Sequence, residues 1–157
     1  FNPAKLDSLD KYKEIAEKIN RASTLCKQAG VQLAYHNHDF EFKDWNGTTG
    51  YDVLLKDTDP SVLKFELDLY WAVRAGKDPI KLFQENPGRF VMWHVKDMNK
   101  GTKDFTEVGT GGIDFKKIFA NSSLAGVKHI FVEQDKITQD PYISIKTSID
   151  YIKKNLI

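Results

Sequence analysis

Cysteine is almost missing from this sequence: one residue, Cys26, in 157. A single thiol excludes an internal disulfide and any Cys-rich zinc module. Charge of one sign is also lacking. Lys and Arg number 23 against 22 Asp and Glu, a formal net charge of +1. That balance gives no grip on nucleic acid or on an anionic membrane. No apolar run approaches the roughly 18 residues of a membrane span. The opening, Phe1-Asn2-Pro3, has neither Met nor a signal-peptide pattern and reads as a chain entered in the middle. Nothing indicates secretion, so a cytoplasmic location is expected, with the periplasm left open because the true N-terminus is not seen. What the chain does hold is material for a core: 41 % hydrophobic and 12 % aromatic residues, too rich for disorder.

Leu6, Leu9, Tyr12, Ile15, Ala16, Ile19, Ala22, Leu25 and Cys26 recur every three or four residues. This spacing predicts one helix with a single apolar stripe, stopped at Gly30. Cys26 lies on the stripe and is expected in the core. Four short β-rich runs follow: Val31 to His36, Val62 to Asp68, Arg89 to Val95 and Lys128 to Glu133. Helical stretches separate them at Tyr51 to Lys56, Pro79 to Glu85 and Asp114 to Ala120, and Ile143 to Leu156 closes the chain. Ile145, Ile149 and Ile152 mark the apolar face of that last helix. Alternation of this kind predicts an α/β fold of βα units on a parallel sheet. No linker divides residues 1–157, which read as one region.

Each β run carries, at its end or one residue before it, a residue that can bind a metal: His36, Asp68, His94 and Glu133, at intervals of 32, 26 and 39 residues. One unit of an eight-fold barrel of about 250 residues averages roughly 31, and catalytic residues of such barrels gather at the carboxyl rim of the strands. Two imidazoles and two carboxylates suit Mn²⁺, Zn²⁺, Co²⁺ or Mg²⁺ better than an all-oxygen calcium cage. In an extended strand His36 and His38 share a face, so one could ligate while the other handles protons. Glu41 lies close by as a ligand, a base or a substrate contact. Lys96 shares a face with His94 and is either a partner for a developing enolate or a solvated surface cation. Asp97 beside it is a candidate substrate contact. Trp71 is either a platform for the apolar face of a sugar or a core residue. The glycine-rich Val108 to Asp114 run is either an anion-binding nest or a tight turn.

Taken together, HNHDFEF, ELDLYWA with Gly76 behind it, WHVKD, VGTGGIDF and FVEQD resemble the sugar phosphate isomerase/epimerase group of the xylose-isomerase-like TIM barrels. That superfamily also contains endonuclease IV-type AP endonucleases, inosose dehydratases and 3-keto-glycoside hydratases or lyases. The resemblance runs over nearly the whole chain. It implies a (β/α)8 TIM barrel of which residues 1–157 form the C-terminal four βα units, a half barrel. It also implies one divalent ion, Mn²⁺ foremost, held by Glu, Asp, His and Glu at the ends of the fifth to eighth strands. Asp68, His94 and Glu133 match the last three positions. The first falls on His36, or on Glu41 after a local shift, and His36 is preferred. Family epimerases carry a His three residues after the Asp, where this chain has Trp71. That departure leans toward the dehydratases and keto-sugar enzymes.

The implied chemistry is proton transfer beside a carbonyl through a metal-stabilised enediolate on a sugar or keto-sugar. Glu133 is the matched base, with His38 or Glu41 as its partner and Lys96 as a third catalytic candidate. Alternatives are a dehydratase or lyase acting on an inosose or 3-keto-glycoside, an endonuclease IV-like phosphodiesterase, and a non-catalytic carbohydrate-binding fragment. Only four histidines and a near-neutral charge speak against the phosphodiesterase. A half barrel leaves two sheet edges open. A missing N-terminal half or another chain is therefore expected as partner, and a homo-oligomer is one form of it.

Overall fold

A computed structural model of the chain describes residues 6–157. The opening Phe1-Asn2-Pro3 lies outside the described residues. Helix α1 (Leu9–Gln28) starts at Ser8, whose hydroxyl accepts the Lys11 N–H, and Gly30 beyond its end adopts φ 75°. Strand β1 (Leu33–His36) leads through a 3-10 turn at Phe40–Phe42 into a hairpin of β2 (Asp44–Trp45) and β3 (Thr48–Thr49). Thr49 and Asp52 form a reciprocal cap on α2 (Gly50–Asp57). Strand β4 (Leu63–Asp68) passes directly into α3 (Leu69–Arg74), because Asp68 ends the strand and caps the helix. Helix α4 (Pro79–Glu85) begins on the Asp78 cap with proline in its first turn.

After β5 (Met92–Val95) a second hairpin pairs β6 (Asp97–Met98) with β7 (Phe105–Thr106). Short helices α5 (Phe115–Phe119) and α6 (Ser122–Ala125), strand β8 (His129–Val132) and helix α7 (Pro141–Asn155) complete the chain.

One parallel sheet runs in the order β1-β4-β5-β8. Side chains alternate across it with period two. Leu63, Phe65, Leu67, Trp93 and Val95 point to the helix side, all at 0 % exposure, and merge into a single core with Tyr51, Leu54, Phe83, Phe90 and Phe115. The other face carries His36, Lys64, Glu66, Asp68, His94, Lys96, His129, Phe131 and Glu133. That polar face is open enough to leave Phe131 46 % exposed. No helix among the described residues is long and apolar enough to cross a membrane.

Two expectations about helix faces change. The α1 stripe is wider than the sheet it meets. Tyr12, Ala16 and Ser23 are buried, whereas Leu25 is 67 % exposed, and Cys26 is only half-buried. On α7 the buried row is Ser144, Ser148 and Ile152, and Ile145 is 42 % exposed. Serines face inward because their hydroxyls are used: Ser148 Oγ accepts the Val108 N–H at 3.0 Å, and Ser144 donates to Glu107 at 2.9 Å.

Candidate metal centre

The parallel register decides which strand ends meet. Asp68 lies opposite His94, and His94 lies opposite Phe131. Glu133, two residues past Phe131, returns to the same face just beyond β8. His36 closes β1 beside β4. Ligand-type atoms of His36, Asp68, His94 and Glu133 consequently all lie within 4.8 Å of one another.

Each side chain is aimed by its surroundings. The Asp68 carboxylate divides its two oxygens. Oδ1 accepts the Trp71 N–H at 3.0 Å as the cap of α3, and Oδ2 faces the cluster, 3.2 Å from His36 Nε2. Asn37, with 0 % exposure, accepts the Asp68 N–H at 3.0 Å and so ties the ends of β1 and β4 together. His94 sits between carboxylates, with Nε2 3.1 Å from Glu66 Oε1 and Nδ1 2.7 Å from Glu133 Oε2. Lys96 is 1 % exposed, its Nζ 2.9 Å from Asp68 Oδ2, 2.6 Å from Glu133 Oε2 and 3.1 Å from Asp135 Oδ2. Of its two sequence readings, the surface cation is excluded.

The charges reinforce one another. Burial works to raise the Asp68 carboxyl, yet the His36 and His94 imidazoles and the Lys96 ammonium hold it well below the usual carboxylate range. Burial also opposes ionisation of Glu133, which Lys96 and His94 nevertheless keep below its ordinary value. For His94 burial acts against the cation, and Asp68, Glu66 and Glu133 outweigh it to raise the pKa. Lys96 is raised by the same balance, desolvation being overcome by Asp68, Glu133 and Asp135.

A metal fits this donor set. His94 Nδ1 and Glu133 Oε2 are buried atoms 2.7 Å apart, and Lys96 Nζ closes on the same carboxylate oxygen at 2.6 Å, so donor atoms already crowd around one point. Two imidazoles with two carboxylates are the mixed nitrogen and oxygen ligands of a first-row divalent ion.

Other sequence candidates fall nearby or elsewhere. The exposed ring of His38 lies 5.0 Å from that of His36 and 5.8 Å from Trp71. Partial desolvation and the neighbouring His36 depress its pKa. Trp71 is half-buried on the rim, 5.7 Å from Phe105. Glu41, the alternative first ligand and candidate base, lies outside the four-residue cluster, and its oxygens accept the Tyr35 hydroxyl at 2.8 Å and the His38 N–H at 2.9 Å. Tyr35 points to the helix side of β1, which draws Glu41 to 1 % exposure there, and burial raises its pKa. Asp97, the candidate substrate contact, is engaged by its own backbone surroundings. Its carboxylate accepts the N–H groups of Met98, Gly109, Gly111 and Ile113 at 2.7–3.1 Å. The glycine-rich run is thus an anion nest, and its anion is the protein's own aspartate.

Sequence reasoning missed Glu66, Asn37 and Asp135. Glu66 had a signal, since it lies two residues before Asp68 in the same strand and must share its face. Asn37 and Asp135 lie in the HNHDFEF and FVEQD segments that carry the resemblance, and nothing in the sequence showed which partner either would hold.

The chain belongs to the xylose isomerase-like TIM-barrel family, whose model matches residues 2–153. Its four parallel strands with their helices form part of that barrel. Among curated relatives it is similar to an inosose dehydratase of Geobacillus kaustophilus, 26 % identical over 91 % of this chain and 52 % of that protein. Among solved structures it is similar to a sugar phosphate isomerase/epimerase from Parabacteroides distasonis, at TM-score 0.84 and 30 % identity, covering 93 % of this chain and 55 % of the other. The IOLI protein, solved with a zinc atom, shares the fold at TM-score 0.67 and 16 % identity, over 92 % of this chain and 57 % of its own. The chain spans about half the length of the curated relatives it matches.

Proposed function

We propose that this chain supplies the metal-binding half of an enzyme that moves a proton beside the carbonyl of a sugar or keto-sugar, as an isomerase or epimerase. The observation that carries the reading is the convergence of ligand-type atoms of His36, Asp68, His94 and Glu133 within 4.8 Å. These four residues would hold one divalent ion, Mn²⁺ first, with Zn²⁺, Co²⁺ and Mg²⁺ as candidates. When bound, the ion supplies Lewis acidity toward the substrate oxygens. The substrate classes of the inosose dehydratase and of the sugar phosphate isomerase/epimerase support a polyhydroxylated carbonyl compound.

The protein's own groups then divide the work. Glu133, ionised and at the strand-end rim, takes the proton from the carbon next to the carbonyl. Lys96 offers its ammonium to the developing enolate oxygen. His38, with a depressed pKa, is poised to return a proton from the other side of the cluster. Trp71 gives the sugar an apolar wall. A further half barrel, from the same polypeptide or another chain, completes the pocket by closing on the β1 and β8 edges.

A second reading is dehydration. It is favoured by Trp71, which stands where the epimerases it resembles carry histidine, and by the inosose dehydratase relatives. Both readings begin with the same proton removal. In the full-length protein with Mn²⁺ and a panel of keto-sugars and inososes, substrate should take up solvent deuterium. Glu133→Gln should slow that exchange by about 100-fold or more. Loss of water separates the dehydratase from the epimerase. Exchange at the wild-type rate in the variant would overturn the reading.

A further inference from the structure

The two oxygens best placed for a divalent ion already face a cation. Asp68 has only Oδ2 to offer, because Oδ1 caps α3. Lys96 Nζ lies 2.9 Å from that atom and 2.6 Å from Glu133 Oε2. An ion reaching the same oxygens would sit against the ammonium, and like charges at such distances repel steeply in a site this buried. Lys96 has a third carboxylate within reach, Asp135 Oδ2 at 3.1 Å. Asp135 is outside the four-residue cluster and its side chain is 38 % exposed. The rings of Trp71 and Phe105 lie 6.0 and 5.9 Å from the same ammonium, a distance at which aromatic faces attract a cation. The ammonium therefore has somewhere to go without leaving the site.

Resting on the metal reading above, we propose that Lys96 is a built-in competitor for the metal and that Asp135 is the group that takes it over. In the metal-free protein Lys96 neutralises Asp68 and Glu133, which would otherwise repel each other across the sheet. When the ion binds, Lys96 turns from those two oxygens to Asp135 and the aromatic wall, where it stays close to the substrate. Metal affinity is then set by the balance between one lysine and one aspartate, neither of which is a ligand. The two residues act in opposite directions. Removing Lys96 strengthens metal binding, and removing the charge of Asp135 weakens it.

The test is a titration of the full-length protein with Mn²⁺ alone, read by the electron paramagnetic resonance of the free ion and by thermal unfolding. Lys96→Met is expected to lower the Mn²⁺ Kd tenfold or more. It should also melt earlier than wild type without metal and gain more in Tm when Mn²⁺ is added. Asp135→Asn is expected to raise the Kd severalfold. Should Lys96→Met fail to fold, Asp135→Asn decides alone. Wild-type binding with a Kd unchanged in the variants that fold, or tightened by Asp135→Asn, overturns this inference and leaves the metal site standing. No Mn²⁺ binding by wild type or either variant overturns the metal site itself.

Discussion

The side chains around the centre are held by neighbours that do no chemistry, and Glu107 is the clearest case outside the cluster. It accepts hydrogen bonds from Gln139 at 2.8 Å, Ser144 at 2.9 Å and Gln134 at 3.3 Å. Gln134 directly follows Glu133, so this carboxylate anchors the segment that presents it. Burial works to raise Glu107, and the donors pull it down to about 2. Its folded pKa is depressed, so its stabilisation is present above the ordinary carboxylate range, near 4.5, and is lost as pH falls to about 2. Glu107→Gln should be less stable than wild type at pH 7, and the difference should shrink through that window. Urea unfolding at pH 7, 4 and 2 checks this, and a pH-independent difference would refute it. At this scale the sequence was readable wherever a polar residue followed an apolar run, as at His36, Asp68, His94 and Glu133. It could not separate these from polar residues that serve neighbouring backbone and hydroxyl groups. Asp97 and Glu41 carry the same functional groups as ligands, and only the amides and hydroxyl that approach them reveal their different use.

Among the elements, βα alternation was legible because period-two and period-3.6 patterns differ over even short runs. Helix α4 appears over Pro79–Glu85 as read, since a capping aspartate and a first-turn proline leave little latitude. The two hairpins escaped notice because their strands are only two residues long, too short for a pattern. One had a local signal: Asn46 and Gly47 adopt φ 56° and 88°, the pairing that a two-residue hairpin turn favours. The buried serines of α7 escaped because apolar spacing cannot anticipate hydroxyls that satisfy a loop. The hairpin and loop after Lys96 give an element-level prediction. A Cβ on Gly111 would lie 2.3 Å from Asp97 Oδ1 and 2.5 Å from the Met98 carbonyl. Gly111→Ala must therefore push the loop off the aspartate, orphaning amides that now donate to it. A loss of about 1–3 kcal/mol in urea unfolding is expected. A variant as stable as wild type would show that the nest does not hold this loop.

At the scale of the whole chain, the described residues form a four-stranded parallel sheet with two short hairpins, helices on one face and the candidate metal centre on the other. Among the described residues neither β1 nor β8 has a second strand neighbour. Beside β1 runs an apolar cavity of about 660 Å³, lined in part by Ile15, Ile19, Ala22, Leu33 and Phe40. Ile15, Ile19 and Ala22 of the α1 stripe border this cavity and are not buried by the sheet. Both features are those of part of a barrel, and the chain spans about half the length of the relatives it matches. The sheet nevertheless brings His36, Asp68 and His94 together from its strand ends with Glu133 just beyond β8. The most direct test is a crystal of the full-length protein grown with Mn²⁺ and measured for anomalous scattering. The account predicts one ion bound by His36, Asp68, His94 and Glu133, with Glu41 still on Tyr35 and Lys96 turned toward Asp135. An ion held by Glu41 in place of His36, or no ion among these four residues, would contradict it.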